Sequence, residues 1–483
     1  MAALGVLLLA ITPVLLIGSA QPIRARRAMV VSQDDIASRV GVAIMRDGGN
    51  AMDAAVATAL ALAVTYPTAG NIGGGGFLIY RPVEGPPVAY DFRETAPGGS
   101  FPAMFVRDGE YDPVIHHNSH LAVGVPGTVA GLHLAWSEHG VLPWRRLVEP
   151  AVALAGDGFA MSDVLARSLA GVLPRMADYP ASVAQFSKQG EPYQAGETFR
   201  QPDLALTLTR IAERGPAGFY EGETAELIER EMAANGGLMT RADLAAYRAV
   251  RRRPITGTYR GYEIISMPPV SSGGAAVIQI LNILEGYDLS ASGAGSAATT
   301  HLIIEAMRRA YADRARYLGD PAFNPSLPLD HLTSKDYAEE LRETIREERA
   351  SVSSSDSFVW PTEGLETTHV SVVDGARNAV SMTYTLEQGY GSKITVPGAG
   401  FLLNNEMGDF NGAPGLTTER GLIGTEPNLA EPGKRMLSSM TPTIVAQDGR
   451  FVMATGSPGG RSIINTVLLT ILNVVDFMMN IQE

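Results

Sequence analysis

The 483-residue chain contains no cysteine, which excludes disulfides, a thiolate nucleophile and any cysteine-built metal site. Aromatic residues make up only 7% of it, and no basic stripe is interleaved with them; with a net charge of −13, nucleic acid is excluded as the main partner. Charge is also missing from the first twenty residues, "MAALGVLLLAITPVLLIGSA", whose small residues Gly18 and Ala20 suit a signal-peptidase cut before Gln21. No Lys or Arg precedes that apolar run, so an uncleaved membrane anchor is the alternative. Beyond residue 20 no apolar stretch is long and charge-free enough to span a bilayer, and no tandem repeat occurs. The expectation is an exported protein, periplasmic or secreted, that needs no oxidative folding.

What is present is a globular composition, 45% hydrophobic and 18% charged, with length enough for two or three domains or one large α/β assembly. Residues 48–80 read as a small-residue helix (51–64), a Pro-containing turn, the glycine run 73–76 and a strand. A dinucleotide fingerprint needs strand, glycines and helix in that order, so this run reads as tight backbone packing instead. Residues 144–244 are mostly helical, and 301–321 form an amphipathic helix ending at Gly319. Residues 346–366 turn serine-rich and acidic without periodicity, as an exposed linker does. Period-two alternation follows at 368–374 and 378–386 around a turn. A turn centred on Ala376 sets Thr367 opposite Thr385, nine positions away on either side. The mixture of helices and strands suggests a layered α/β sandwich.

A threonine hydroxyl becomes a useful nucleophile when a base lies beside it, and its own α-amine is such a base if the residue is a chain end. The bond between Glu366 and Thr367 is exposed at the end of the linker, and Thr367 could attack its own preceding carbonyl. Taken alone, "TTHVSVV" reads more readily as an ordinary strand start. The cluster His116, His117 and His120 in "HHNSH" matches no standard zinc spacing and has no obvious carboxylate partner.

Nine segments occur in one order: "GGNAMDAAVA", "GGGGF", "DFRETAP", "GVPGTVAGL", "DRARYLGDP", "TTHVSVVD", "LLNNEMGDF", "KRMLSSMTPTIV" and "GSPGG". Together they resemble the signature set of the γ-glutamyltransferases (glutathione hydrolases), within the N-terminal-nucleophile hydrolases. The resemblance implies a four-layer αββα sandwich built by two subunits cut from one precursor. Residues 21–366 would form the large subunit and 367–483 the small one, the latter lacking its C-terminal part; the apolar final helix (463–479) would then want a cover.

The resemblance also implies roles. Thr367 matches the nucleophile and Thr385 a threonine bonded around it. Arg93, Ser438 and Ser439 match the grip on a substrate α-carboxylate. Glu406 and Asp409, with Glu387 less securely, match the residues that hold the α-ammonium. Gly459 and Gly460 match an oxyanion hole, and residues 411–432 a lid loop. Without the resemblance, Arg93 could equally form a surface ion pair, the serines and carboxylates could be loop residues, and "PGG" a turn.

The expected substrates are glutathione and other γ-glutamyl compounds, with water, amino acids or dipeptides as acceptors. No cofactor and no metal are required. Two alternatives stand beside this reading. One is a same-family acylase for a glutaryl-type group, the other an uncut envelope binding protein.

Overall fold

The computed structural model describes residues 21–352, 366–415 and 426–483. The expected signal segment 1–20, residues 353–365 of the expected linker and part of the expected lid, 416–425, lie outside the described residues. Among the described residues, the principal strands are Met29–Val31 (β1), Gly75–Arg81 (β2), Val88–Phe92 (β3), Val250–Arg252 (β4), Ile255–Tyr259 (β5), Tyr262–Ser266 (β6), Thr368–Val373 (β7), Ala379–Thr385 (β8), Thr443–Gln447 (β9) and Arg450–Thr455 (β10). They form two antiparallel sheets, ordered β1-β7-β8-β2-β3-β4 and β10-β9-β6-β5.

The helices that cover them include Asp35–Arg46 (α1), Ala51–Thr65 (α2), Trp144–Asp157 (α3), Gly273–Leu284 (α4), Ala297–Tyr317 (α5) and Ser462–Val475 (α6). Helix α2 packs on β7 and β8 and is itself covered by α1 and α3, while α4 packs on β5 with α5 and α6 around it. The layers therefore run helix, sheet, sheet, helix, as the expected αββα sandwich does.

Helix α2 shows why this sequence builds that stack. All fifteen of its residues are buried, so an amphipathic stripe would serve no purpose, and seven alanines let strands and helices approach on every side. Its start is fixed by a capping box, in which the Asn50 side chain accepts from the Met52 and Asp53 N–H groups and Asp53 accepts from the Asn50 N–H. The Asp53 carboxylate, fully buried, also accepts from the Val141 N–H at 3.1 Å.

The glycine run reads as anticipated. A Cβ on Gly74 would lie 2.1 Å from the Thr385 carbonyl oxygen, and one on Gly76 2.4 Å from the Tyr384 Cβ, so only glycine lets β2 lie this close to β8.

Three details differ from the sequence reading. Helix α5 begins at Ala297, where Ser296 caps the Thr299 N–H, and ends at Tyr317. The first turn, two alanines and two threonines, carries no large apolar residue, so apolar periodicity alone places the start too late. The hairpin strands are each one or two residues shorter than the alternation suggested. The final helix ends at Val475, and its apolar side, including Ile464, Val467, Leu468 and Ile471, is buried against α4 and its neighbours.

Replacing Asp53 by Ala should remove both halves of this anchorage, leaving the Asn50 and Val141 N–H groups without their carboxylate. The expected cost is about 2–4 kcal/mol, read as a fall of several degrees in the thermal unfolding midpoint; an unchanged midpoint would show that α2 does not depend on its cap.

Candidate active site

The β7–β8 register is Thr368 opposite Tyr384 through Val373 opposite Ala379. Extended by one position, it sets Thr367 opposite Thr385, and the two hydroxyl oxygens stand 3.5 Å apart. The Thr385 hydroxyl donates to the Glu366 carbonyl oxygen at 3.1 Å and accepts from the Glu387 N–H at 3.0 Å. The carbonyl of the bond preceding Thr367 is thus polarised by a side chain that also faces the Thr367 hydroxyl.

A pocket opens at this end of the hairpin, lined by Thr367, Thr385, Arg93, Glu387, Glu406, Asp409, Ser438, Ser439, Gly460 and neighbouring apolar atoms. Residues more than 350 positions apart meet there. Of the expected site residues, Gly459 and the Glu366 side chain are not part of the lining. Gly459 sits one residue back in the same turn, with φ of 127°, and Gly460 has φ of 52°. Both lie just before α6, so the positive end of that helix faces the pocket.

Arg93 is fully buried, not a surface ion pair. Its Nη1 lies 2.5 Å from Glu406 and 3.7 Å from Glu94, and its Nη2 donates to Asp409. Nε donates to the Met436 carbonyl at 3.3 Å, tying the arginine to the segment that carries the serine pair. The sequence reading gave Arg93 and Asp409 to opposite charges of one ligand head group; here they contact each other.

Glu406 is held by Asn404, whose Oδ1 accepts from the Glu406 N–H at 3.0 Å and whose Nδ2 donates to the carbonyls of Gly73 and Gly124. Glu387 has a left-handed backbone, φ of 81°, and accepts from Asn405 Nδ2. The two asparagines of "LLNNEMGDF" therefore orient the two glutamates.

One guanidinium faces three carboxyl groups in a dry place. Desolvation drives the Glu406 pKa well above the usual carboxylate range, and the Glu94 pKa up to about 8, while the surrounding carboxyls keep Arg93 firmly charged. Glu94 is adjacent to Arg93 in "DFRETAP", yet nothing in the sequence indicated that its side chain would be buried.

The rings of His116 and His117 lie 4.4 Å apart, but the three histidines turn to different partners. His116 donates from Nε2 to the Met407 carbonyl at 3.0 Å, and its Nδ1 accepts from the Tyr111 hydroxyl at 2.9 Å. His120 pairs with Glu231 at 2.9 Å, and His117 lies 3.9 Å from Glu387. The fold thus supplies carboxylate partners that the sequence hid, one of them 111 positions away. Among the described residues no group of three or more such side chains could hold a metal.

Residues 37–483 match the Gamma-glutamyltranspeptidase family. The chain belongs to that family. It is 49% identical over 469 residues to the glutathione hydrolase proenzyme of Escherichia coli K12, covering 96% of this chain and 80% of that one. The crystal structure of Helicobacter pylori γ-glutamyltranspeptidase superposes with a TM-score of 0.67 at 45% identity, over 68% of this chain and 95% of that chain. A cephalosporin acylase from Bacillus halodurans gives 0.81 at 27% identity, over 95% and 84%. The fold is that of these γ-glutamyltranspeptidases and acylases.

In this γ-glutamyltranspeptidase-family chain the raised Glu94 pKa has a measurable consequence. Between 4.5 and about 8 the folded protein holds a proton there that the unfolded chain releases. The contribution of Glu94 to stability is therefore present below pH 4.5 and is lost as pH rises through about 8. Glu94→Gln should flatten the decline of the unfolding midpoint across that window relative to wild type, and parallel curves would contradict the assignment.

Proposed function

We propose that this protein is a γ-glutamyltransferase and glutathione hydrolase that matures by cutting its own chain before Thr367. The observation that carries the reading is one pocket holding both a threonine placed to attack its preceding carbonyl and a charge set suited to a zwitterion. Several relatives are named as proenzymes, the Escherichia coli protein among them, which supports a precursor here too.

In the uncut chain the Thr367 hydroxyl donates towards Thr385, and the Thr385 hydroxyl donates to the Glu366 carbonyl. As Thr367 Oγ bonds to the Glu366 carbonyl carbon, its proton passes to Thr385 Oγ while the Thr385 proton moves to the carbonyl oxygen. Collapse breaks the C–N bond as the intermediate's hydroxyl proton passes to the nitrogen, leaving an ester and a free Thr367 α-amine; water then opens the ester to a Glu366 carboxylate and the restored Thr367 hydroxyl. That amine then serves as the base for the same hydroxyl.

The substrate is a γ-glutamyl compound such as glutathione. Its α-carboxylate takes the Arg93, Ser438 and Ser439 positions, and its α-ammonium replaces Arg93 as the partner of Glu406 and Asp409, with Glu387 at the edge. A bound cation favours ionised carboxylates, so substrate binding releases the protons that burial holds on this cluster. The γ-carbonyl meets Thr367, the developing oxyanion faces the Gly459–Gly460 turn at the α6 N-terminus, and the acyl ester passes to water or to an amino acid or peptide amine.

The two fragments, 21–366 and 367–483, stay together as a heterodimer because β7 and β8 lie between β1 and β2 in one sheet, and β9 pairs with β6 in the other. Export rests on the charge-free segment 1–20. An acylase for a glutaryl-type group is the second reading, favoured by the acylase likeness. Such a group has no ammonium to meet Glu406 and Asp409, which weighs against it.

Thr367→Ala should give a single uncut chain with no hydrolysis of a γ-glutamyl anilide, whereas wild type gives two bands, the smaller beginning at Thr367. Thr385→Ala should slow the cut by at least about tenfold, since a hydrogen bond to the developing oxyanion is lost. Normal two-band processing of Thr367→Ala on a denaturing gel would sink the scheme.

A further inference from the structure

Helix α5 contributes a side chain that none of the foregoing uses. Arg314, in "DRARYLGDP", is only 6% exposed. Its Nη2 donates to Ser439 Oγ at 2.8 Å and its Nε to Ser272 Oγ at 2.8 Å, and Ser272 Oγ in turn donates to the Ser438 carbonyl at 2.6 Å. One guanidinium therefore holds the Ser438–Ser439 unit twice, once by its backbone and once by a hydroxyl. The backbone is secured further, since the Ser272 N–H donates to the Ser438 carbonyl at 2.8 Å and the Ser438 N–H to the Val270 carbonyl at 3.2 Å.

This arrangement fixes which way the hydroxyl points. A guanidinium carries donors and no acceptor, so Ser439 Oγ must accept from Arg314, and its single proton is turned away from the arginine. Ser438 is set in the same sense, because its Oγ accepts from the Met440 N–H at 3.1 Å. Both serines line the pocket beside Arg93. Two hydroxyls whose oxygens are engaged by donors have protons left for an anion. Arg93 grips the preceding residues from the pocket side, through the Met436 carbonyl, so two buried arginines bracket the strip from Met436 to Ser439. The second charge adds positive potential at the same place in a low-dielectric setting.

We propose that Arg314 is a positioning residue that makes Ser439 an obligate hydrogen-bond donor, and so sets the preference for acyl donors carrying an α-carboxylate. Arg314 acts through Ser439 and Ser272 and is not itself a catalytic residue. This inference rests on the γ-glutamyl reading of the pocket.

The test uses the full-length, matured enzyme and two substrates, a γ-glutamyl anilide and its decarboxylated counterpart, a 4-aminobutyryl anilide that keeps the amine. Rates are normalised to the cleaved fraction on a denaturing gel. Arg314→Met should raise KM for the γ-glutamyl anilide about tenfold or more with kcat within about threefold, and leave kcat/KM for the aminobutyryl anilide nearly unchanged. Arg314→Lys, which keeps a donor and the charge, should recover part of the loss. In a Ser439→Ala background the Arg314→Met effect should shrink to about twofold or less.

Equal losses on both substrates, or full additivity with Ser439→Ala, would overturn the proposal. If Arg314→Met does not mature, the ratio of the two substrates with Arg314→Lys decides by the same criterion. Wild type that fails to prefer the γ-glutamyl anilide would defeat the γ-glutamyl reading itself. Wild type that prefers it while both Arg314 variants keep the same preference would defeat only the role of Arg314.

Discussion

The site depends on one register, that of β7 against β8 around the turn at Ala376. Because side chains alternate across a sheet, that register sends Thr367, His369 and Ser371, with Thr385, Thr383 and Ser381, to the face between the sheets. The opposite face carries Val370, Val372, Val380, Met382 and Tyr384 into the core shared with α2. The inward row is tied by hydrogen bonds. His369 contacts Thr383 at 2.8 Å and Ser371 at 2.9 Å, and Ser381 donates to the Thr455 carbonyl at 2.9 Å in the other sheet. Burial holds the His369 pKa down to about 3, so this bridge between β7 and β8 stays neutral at ordinary pH. A slip of one residue would put polar groups into the α2 core and valines between the sheets, a cost far above that of either arrangement of the turn itself.

The same register makes cleavage compatible with an intact fold. Glu366 and Thr367 lie outside β7, and the strand begins at Thr368. Cutting between them would break no ladder hydrogen bond, while strands from both sides of the bond stay paired in each sheet. The reacting threonine is thus held by a completed core while its preceding carbonyl, outside the strand, is held by the Thr385 hydroxyl. The low dielectric that makes the core firm also governs the pocket. Arg93, Glu94 and Glu406 are stripped of water, so protonation and ion pairing, not solvent, balance their charges.

Much of this was legible in the sequence because it is local. The alternation on either side of residues 374–378 carries the hairpin, and counting from its centre pairs Thr367 with Thr385. The alanines of 51–64, on nearly every face, announce a helix packed closely against a sheet. The family resemblance gathered Arg93, Glu406, Asp409, Ser438 and Ser439, which no periodicity could have brought together. What escaped were side chains whose meaning depends on distant partners. Glu94 looks like any surface glutamate until β2 and its glycines close over it. Arg314 looks like one more charge on an amphipathic helix until that helix lies over Ser272 and Ser439. His120 looks unpartnered until Glu231 arrives beside it. In each case burial and pairing are set by tertiary packing, on which composition and spacing are silent.

The central claim is that the Thr367 hydroxyl carries the acyl group, and mass spectrometry of the trapped intermediate tests it most directly. Matured enzyme would be mixed with a γ-glutamyl anilide, quenched in acid within one turnover, digested and mapped. One added γ-glutamyl group is expected, on the peptide that begins at Thr367 and on its side chain, lost on incubation with hydroxylamine as an ester should be. An acyl group on any other residue, or turnover with no covalent species at any quench time, would contradict it.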